Sequence, residues 1–313
     1  MDFKLSFNVD VNDLKLSHKN RIVTIGSCFS NEMASKLIES GFYCEANTFG
    51  TLFHPLSILK VIEASVEDDQ NVDYHQREDL HFSWDSAGEV FALKDLELKS
   101  KIINLRCKFK HELSTAKLLI VTFGTAWGYV HKELNSIVGN CHKASSNLFD
   151  KELFSINEME SEWIILIEKL KLFNPNLKIL FTVSPVRHKK DGLIDNNRSK
   201  ARLIELTHLL VEKTGSHYFP AYELLIDELR DYRFFGEDLV HPNKIAVDYI
   251  WNAFKLSSID KVGQSIIDEL LQLKRQINHK SLYADSVADK LRCEKAKKMK
   301  ATFLENHPEV NWG

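Results

Sequence analysis

The sequence predicts an α/β fold: a three-layer, doubly wound sheet of about five parallel strands in a flavodoxin-like order, with a β-hairpin insertion and a C-terminal helical extension. Two observations carry this. Apolar runs of strand length, such as 21–25 and 116–123, alternate with longer stretches of helical periodicity. The first run also ends in Gly26-Ser27-Cys28, directly ahead of a helical pattern. Open α/β sheets place their sites at such strand–turn–helix junctions.

The elements follow in order. Residues 1–20 form a polar lead-in with room for one edge strand. Residues 22–25 form a buried-type strand. Residues 29–40 are helical, with Met33, Leu37 and Ile38 on one face, and Gly41 stops them. A short strand, 42–45, leads to the loop Asn47-Thr48-Phe49-Gly50-Thr51, and His54-Pro55 opens the next helix. Within 66–98 the alternation breaks. Residues 80–84 and 89–93 flank Asp85-Ser86-Ala87-Gly88, a hairpin pattern that reads as an insertion. Residues 96–115 are helical and 116–123 are the clearest core strand. Residues 124–150 read as a long, irregular, polar loop, a length that favours function. Helix 158–173, strand 177–183, helix 195–213 capped by Asp195, short strand 217–219, and helices 222–229 and 243–256 complete an α/β domain over residues 1–257. From 258 to 313 the pattern is helical only, at 259–277 and 284–305. Val287, Leu291, Ala296 and Phe303 fall in phase, which predicts packing on the core.

Composition excludes several function classes. Net charge is −3, and no basic stripe with interleaved aromatics exists, which argues against nucleic acid. No apolar run reaches membrane-spanning length. The N-terminus has no apolar run of signal-peptide type, and five cysteines lie scattered without framework spacing. Both point to a reducing cytoplasm. Thirteen histidines are present, but no His-x-x-x-His or Cys-x-x-Cys pair seeds a metal site, and no glycine-rich phosphate loop follows the first strand. The expectation is chemistry without metal or cofactor.

Ser27, at the end of the first strand and the mouth of a helix, is placed for nucleophilic attack, with free helix N–H groups nearby. The plainer reading is a helix-capping serine. A nucleophile needs a base, and the base needs an orienting acceptor. Asp238-Leu239-Val240-His241-Pro242 offers both, because a carboxylate three residues before a histidine in a tight turn can hold one ring nitrogen and leave the other free. Cys28 is a second candidate nucleophile, since a helix N-terminus lowers a thiol's pKa, and Cys141-His142 is a third. Arg187 is suited to hold a substrate anion in bidentate fashion. His81, Phe82 and Trp84 of the insertion are in position to line a site.

Gly26-Ser27-Cys28-Phe29-Ser30 resembles the Gly-Ser-Cys-Phe-Ala signature of the GSCFA family, which is related to the SGNH (GDSL-like) hydrolases. Residues 47–51, 122–127, 139–143, 184–188 and 238–242 are similar as well, in the same order. The resemblance implies the SGNH sheet arrangement, with Ser27 as nucleophile, His241 as base and Asp238 as its orienter. It also implies an oxyanion hole built from the N–H groups of Ser27 and Gly50. The third donor of SGNH enzymes is an Asn in Gly-x-x-Asn, but here Trp127 follows Gly124-Thr125-Ala126. Asn140 is the preferred substitute and Thr125 the alternative. Trp127, His142, Arg187, His188 and His81 are the expected substrate contacts. The implied activity is a serine carboxyl-ester hydrolase acting on a small, acetyl-like ester of a polar or carbohydrate alcohol. An acyltransferase with the same triad and a non-catalytic ligand-binding module on the same fold are the alternatives. Nothing in the sequence fixes an oligomeric state.

Overall fold

The computed structural model describes residues 4–11, 13–279 and 286–312. Its first half runs β1 (Arg21–Gly26), α1 (Cys28–Glu39), β2 (Tyr43–Ala46), α2 (Pro55–Val66), β3 (Tyr74–Arg77), β4 (Leu80–Ser83), β5 (Phe91–Ala92), α3 (Asp95–Thr115) and β6 (Leu118–Phe123). There follow β7 (Trp127–His131), β8 (Ser136–Val138), β9 (Phe149–Leu153), α4 (Ile156–Phe173), β10 (Lys178–Val183), α5 (Leu193–Thr214) and β11 (His217–Tyr218). A short α6 (Ala221–Glu223) continues as a π turn, and α7 (Lys244–Ser258), α8 (Lys261–Asn278) and α9 (Val287–Asn306) close the chain.

The core sheet has the order β11-β10-β6-β1-β2 and is parallel throughout. Counting only its own strands along the chain, this is the flavodoxin-like order 2-1-3-4-5. The period of two in each strand divides the apolar residues between two faces. Val23, Ile25, Leu119, Val121, Phe123 and Phe181 pack beneath α2, α3, α4 and α5. Ile22, Leu118, Ile120 and Leu180 pack against α1 and α7, through Phe29, Met33, Leu37, Ile250 and Phe254. The result is a three-layer sandwich.

Sheet order reverses between β1 and β6, where one crossover goes to β2 and the next to β6. That reversal opens a crevice at the carboxyl ends of the two strands. Gly26 ends β1 there with φ +139°, and a Cβ on it would lie 2.2 Å from the carbonyl oxygen of Thr122 in β6. Only glycine allows the two strands to stay paired to their ends, and this fixes Ser27 at the crevice.

Three expectations need correction. The predicted hairpin does pair, as β4 with β5, but β3 adds a third strand and the tight turn lies at Glu78 (φ +56°) between β3 and β4. Tyr74-His75-Gln76-Arg77 is too polar to read as a strand. Second, much of the predicted loop 124–150 is ordered: β7 pairs with β8 and β9 in a second antiparallel sheet. Its core is Trp84, Val138 and Phe149, so one wall of it comes from the insertion and is invisible to local patterning. Third, α9 does not present the predicted face, since Val287 and Leu291 are exposed while Phe303 packs with Ile266, Leu270, Leu273 and Val310. The C-terminal helices join the rest through backbone bonds of Leu16 with Ser258 and Asp260, and through Asn311 N–H to Gly41.

Candidate active site

Ser27 takes the N-cap position of α1, yet its side chain makes no capping hydrogen bond. The serine or asparagine caps of α4, α7 and α9 all do. The Ser27 hydroxyl is instead buried with no partner among the described residues. A buried hydroxyl without a partner is costly, and native structures keep few of them without reason. The capping role therefore does not account for this serine.

Asp238 and His241 come together as the spacing suggests. His241 Nδ1 lies 2.6 Å from Asp238 Oδ2, while Asp238 Oδ1 accepts the backbone N–H groups of Val240 and His241 at 2.9 and 3.1 Å. The ring contact and these two N–H bonds hold the carboxyl well below the usual carboxylate range. Leu239, with φ +59°, makes the tight turn. Both side chains are about half exposed, at 54% and 50%. His241 and Ser27 share no hydrogen bond, because the Ser27 hydroxyl has none.

Arg187 serves this turn. Its backbone N–H donates to Val240 O, its guanidinium donates to Leu239 O at 3.1 Å, and it stacks 4.0 Å over the Phe235 ring. Through one N–H of its guanidinium Arg187 thus braces the Asp238–His241 turn.

The two expected backbone donors are already engaged. Ser27 N–H donates to Thr122 O at 3.0 Å, continuing the β1–β6 ladder, and Gly50 N–H donates to Asn47 O at 2.7 Å. Thr125 is committed too: its hydroxyl pairs with Ser199 Oγ at 3.0 Å and accepts the Trp127 N–H. Asn140 differs. Its carbonyl oxygen accepts the His142 N–H at 2.8 Å, which turns its NH₂ group away from that bond, and the residue lines a cleft of about 690 Å³.

That cleft is bounded by Phe53, Thr125, Trp127, Tyr129, Asn140 and His188, among others, with Lys143, Lys151 and Lys190 adding positive charge. Lys151 pairs with Asp191 at 2.5 Å and lies over the Trp127 ring. Burial, aided by the charge of Lys200, pushes the pKa of His188 down to about 4, so its ring is neutral. His142 and His81 stay outside the cleft. His142 stacks on Phe82 and bonds Ser83 O at 2.7 Å, tying the 140s loop to the insertion, and His81 lies in β4 against Tyr74. Both are packing residues here.

The thiol candidates lose their activation. Burial pushes up the pKa of Cys28, outweighing the N–H groups of the helix start, and burial raises that of Cys141 as well. Among the described residues no cluster of His, Cys, Asp and Glu is arranged to hold a metal ion. No described helix is long and apolar enough to cross a membrane.

One structural group escaped the sequence reading. Asn196, Ser199 and Lys200 share one face of α5 and are all buried. Asn196 accepts the His188 N–H, Ser199 accepts the Ala126 N–H, and the Lys200 amine donates to Gly124 O and Ser184 O. The signal was available: three polar residues at spacing i, i+3, i+4, in phase with the apolar face of Leu203, Leu206 and Leu210.

A sequence model of the GSCFA family matches residues 21–254. The chain belongs to the GSCFA family. The matched span runs from the first residue of β1 into α7 and so includes both Ser27 and the Asp238–His241 turn. No curated protein matches the sequence significantly. Among solved structures, this GSCFA protein is similar to a putative GDSL-like lipase from Parabacteroides merdae (11% identity, 78% of this chain, 98% of the other, TM-score 0.41). It is similar to a variant of an acetyl-xylooligosaccharide esterase from Geobacillus (10% identity, 78% of this chain, 96% of the other, TM-score 0.38). A peptidoglycan O-acetylesterase matches over 52% of this chain and 42% of its own length (16% identity, TM-score 0.32).

Proposed function

We propose that this protein is a serine-dependent carboxyl-ester hydrolase that acts through an acyl-enzyme on a small, acetyl-like ester of a polar or carbohydrate alcohol. The observation that carries the reading is the Ser27 hydroxyl. It is buried at the topological switch point of the sheet with no hydrogen-bond partner among the described residues, in a chain that also holds an ordered Asp238–His241 pair. Family membership adds support, since the GSCFA signature centres on this serine.

In the reaction, Ser27 Oγ attacks the acyl carbon and passes its proton to His241 Nε2, while Asp238 holds Nδ1–H and stabilises the imidazolium. The tetrahedral intermediate collapses as His241 returns that proton to the leaving alkoxide, releasing the alcohol. Water then attacks acyl-Ser27 with His241 as base, and the carboxylic acid leaves. The Asn140 amide is the uncommitted donor best suited to the oxyanion. The aromatic and polar lining of the cleft suits a sugar-like alcohol.

One observation favours the ligand-binding module instead: the Ser27 and Gly50 N–H groups are both engaged within the fold. Acetate release from a panel of 4-nitrophenyl and O-acetylated saccharide esters, by wild type and Ser27→Ala, separates the two. Turnover that depends on Ser27 supports the hydrolase. Saccharide binding without turnover on any ester supports the module.

A further inference from the structure

Lys200 is an anomaly. Its side chain is among the largest fully buried ones in the protein, at 1% exposure, and no carboxylate among the described residues pairs with it. A buried ammonium without a counter-ion is expensive, and chains retain one where the charge or the contacts serve something. Its place is equally specific. The amine reaches Gly124 O and Ser184 O, each at 2.7 Å, so it joins the first residues beyond β6 and β10 at the carboxyl edge of the sheet. The loop after β6 leads to the cleft, and the loop after β10 carries Arg187, which braces the Asp238–His241 turn. The titratable groups around the amine are Cys28 at the start of α1, His188 after β10, and Tyr222 of α6, whose ring centre lies 5.9 Å away. None of them is a carboxylate.

We propose that Lys200 is a positioning and electrostatic residue of the Ser27 site. It clamps the β6 and β10 loops to one another and places an unpaired positive charge beside the Ser27–Cys28 turn, where the transition-state oxyanion supplies the missing negative charge. The proposal rests on Ser27 being the nucleophile. It also gives the site a source of positive potential that does not depend on the engaged backbone N–H groups.

The two roles separate by titration. Burial brings the pKa of Lys200 down to about 7, so its charge is present below neutrality and lost as pH rises through it. A neutral amine still has two N–H bonds, enough for both carbonyls. Raising the pH therefore removes the charge and leaves the clamp. Wild-type reactivity is expected to fall as the pH rises through about 7 and Lys200 loses its proton.

The test is the rate of Ser27 phosphonylation by a fluorophosphonate from pH 5.5 to 9, read by intact mass, for wild type, Lys200→Met and Lys200→Gln, with Ser27→Ala as control and thermal melts alongside. Lys200→Gln keeps two N–H donors without the charge and guards against a Met variant that fails to fold. Both variants are expected to label about tenfold more slowly or worse at neutral pH, less than the about 10²–10³ of a direct oxyanion donor. Both are also expected to lack the alkaline fall. A purely structural lysine would lower the melting temperature and leave the shape of the pH profile unchanged, and that result overturns the proposal. So does wild-type-like labelling in either variant. Labelling of wild type that survives in Ser27→Ala, or no labelling of wild type, overturns the nucleophile assignment and this one with it.

Discussion

Gly26→Ala is the sharpest test of how the fold positions the site. The added methyl would lie 2.2 Å from Thr122 O and 2.9 Å from Thr122 N, at a φ of +139° that alanine rarely adopts. Backbone lies on the other side of the clash, so no side chain can move aside. Relief requires the end of β1 to leave β6. Three bonds then go: Ser27 N–H to Thr122 O at 3.0 Å, Leu52 N–H to Gly26 O at 3.0 Å, and Gly26 N–H to Asn47 Oδ1 at 2.8 Å. At about 1 kcal/mol net each, with about 1–3 kcal/mol for the backbone conformation, the loss is about 4–6 kcal/mol. Domains of this kind hold about 5–15 kcal/mol in total. Equilibrium urea unfolding of the variant is therefore expected to show a much lower midpoint, or no folded baseline, with Ser27 reactivity lost in parallel. A loss below about 1 kcal/mol would refute the claim that glycine is required by the β1–β6 approach.

Four further outcomes follow. Ser27→Ala leaves the melting temperature unchanged or slightly raised, because the hydroxyl caps nothing and has no partner among the described residues; a clear drop would show that it does bond in solution. Asp238→Asn keeps both backbone contacts but no longer fixes Nδ1–H, so esterase turnover falls about 10²-fold or more with little change in melting, less than the ~10⁴ of a fully buried carboxylate; unchanged turnover would remove the pair from the chemistry. Asn140→Ala lowers turnover about 10²–10³-fold if its amide meets the oxyanion, whereas a change in KM alone would make it a binding residue. Stability declines in acid: burial lowers the pKa of His54 to about 3 and of His188 to about 4, so the unfolded chain binds more protons below its ordinary value of 6.5. Their contribution is complete above pH 6.5 and is lost as pH falls toward 4 and then 3. A melting temperature that is flat from pH 7 to pH 4 would contradict this.

The doubly wound sheet was legible because β1, β6 and β10 are short apolar runs with helical periodicity between them. The glycine-serine turn and the Asp-x-x-His turn were legible because their geometry is local. The rest depended on distant partners. β7 to β9 fold over Trp84, some forty residues upstream, so their own residues read as loop. Arg187, His142 and His81 carry chemistry-bearing side chains, but Leu239 O, Phe82 and Tyr74 take them up, and nothing near them in sequence says so. Lys200 escaped for the opposite reason. A lysine inside a helix is ordinarily solvated; its phase with Leu203, Leu206 and Leu210 was the one local sign, and tertiary structure adds that it faces the carbonyl ends of two strands.

The central claim is that Ser27 is an activated nucleophile. The most direct measurement is intact mass after incubation with a fluorophosphonate, for wild type and Ser27→Ala in parallel. The account predicts one adduct on the wild type and none on the variant. A folded wild type that takes up no adduct, or an adduct that persists in the variant, would contradict it.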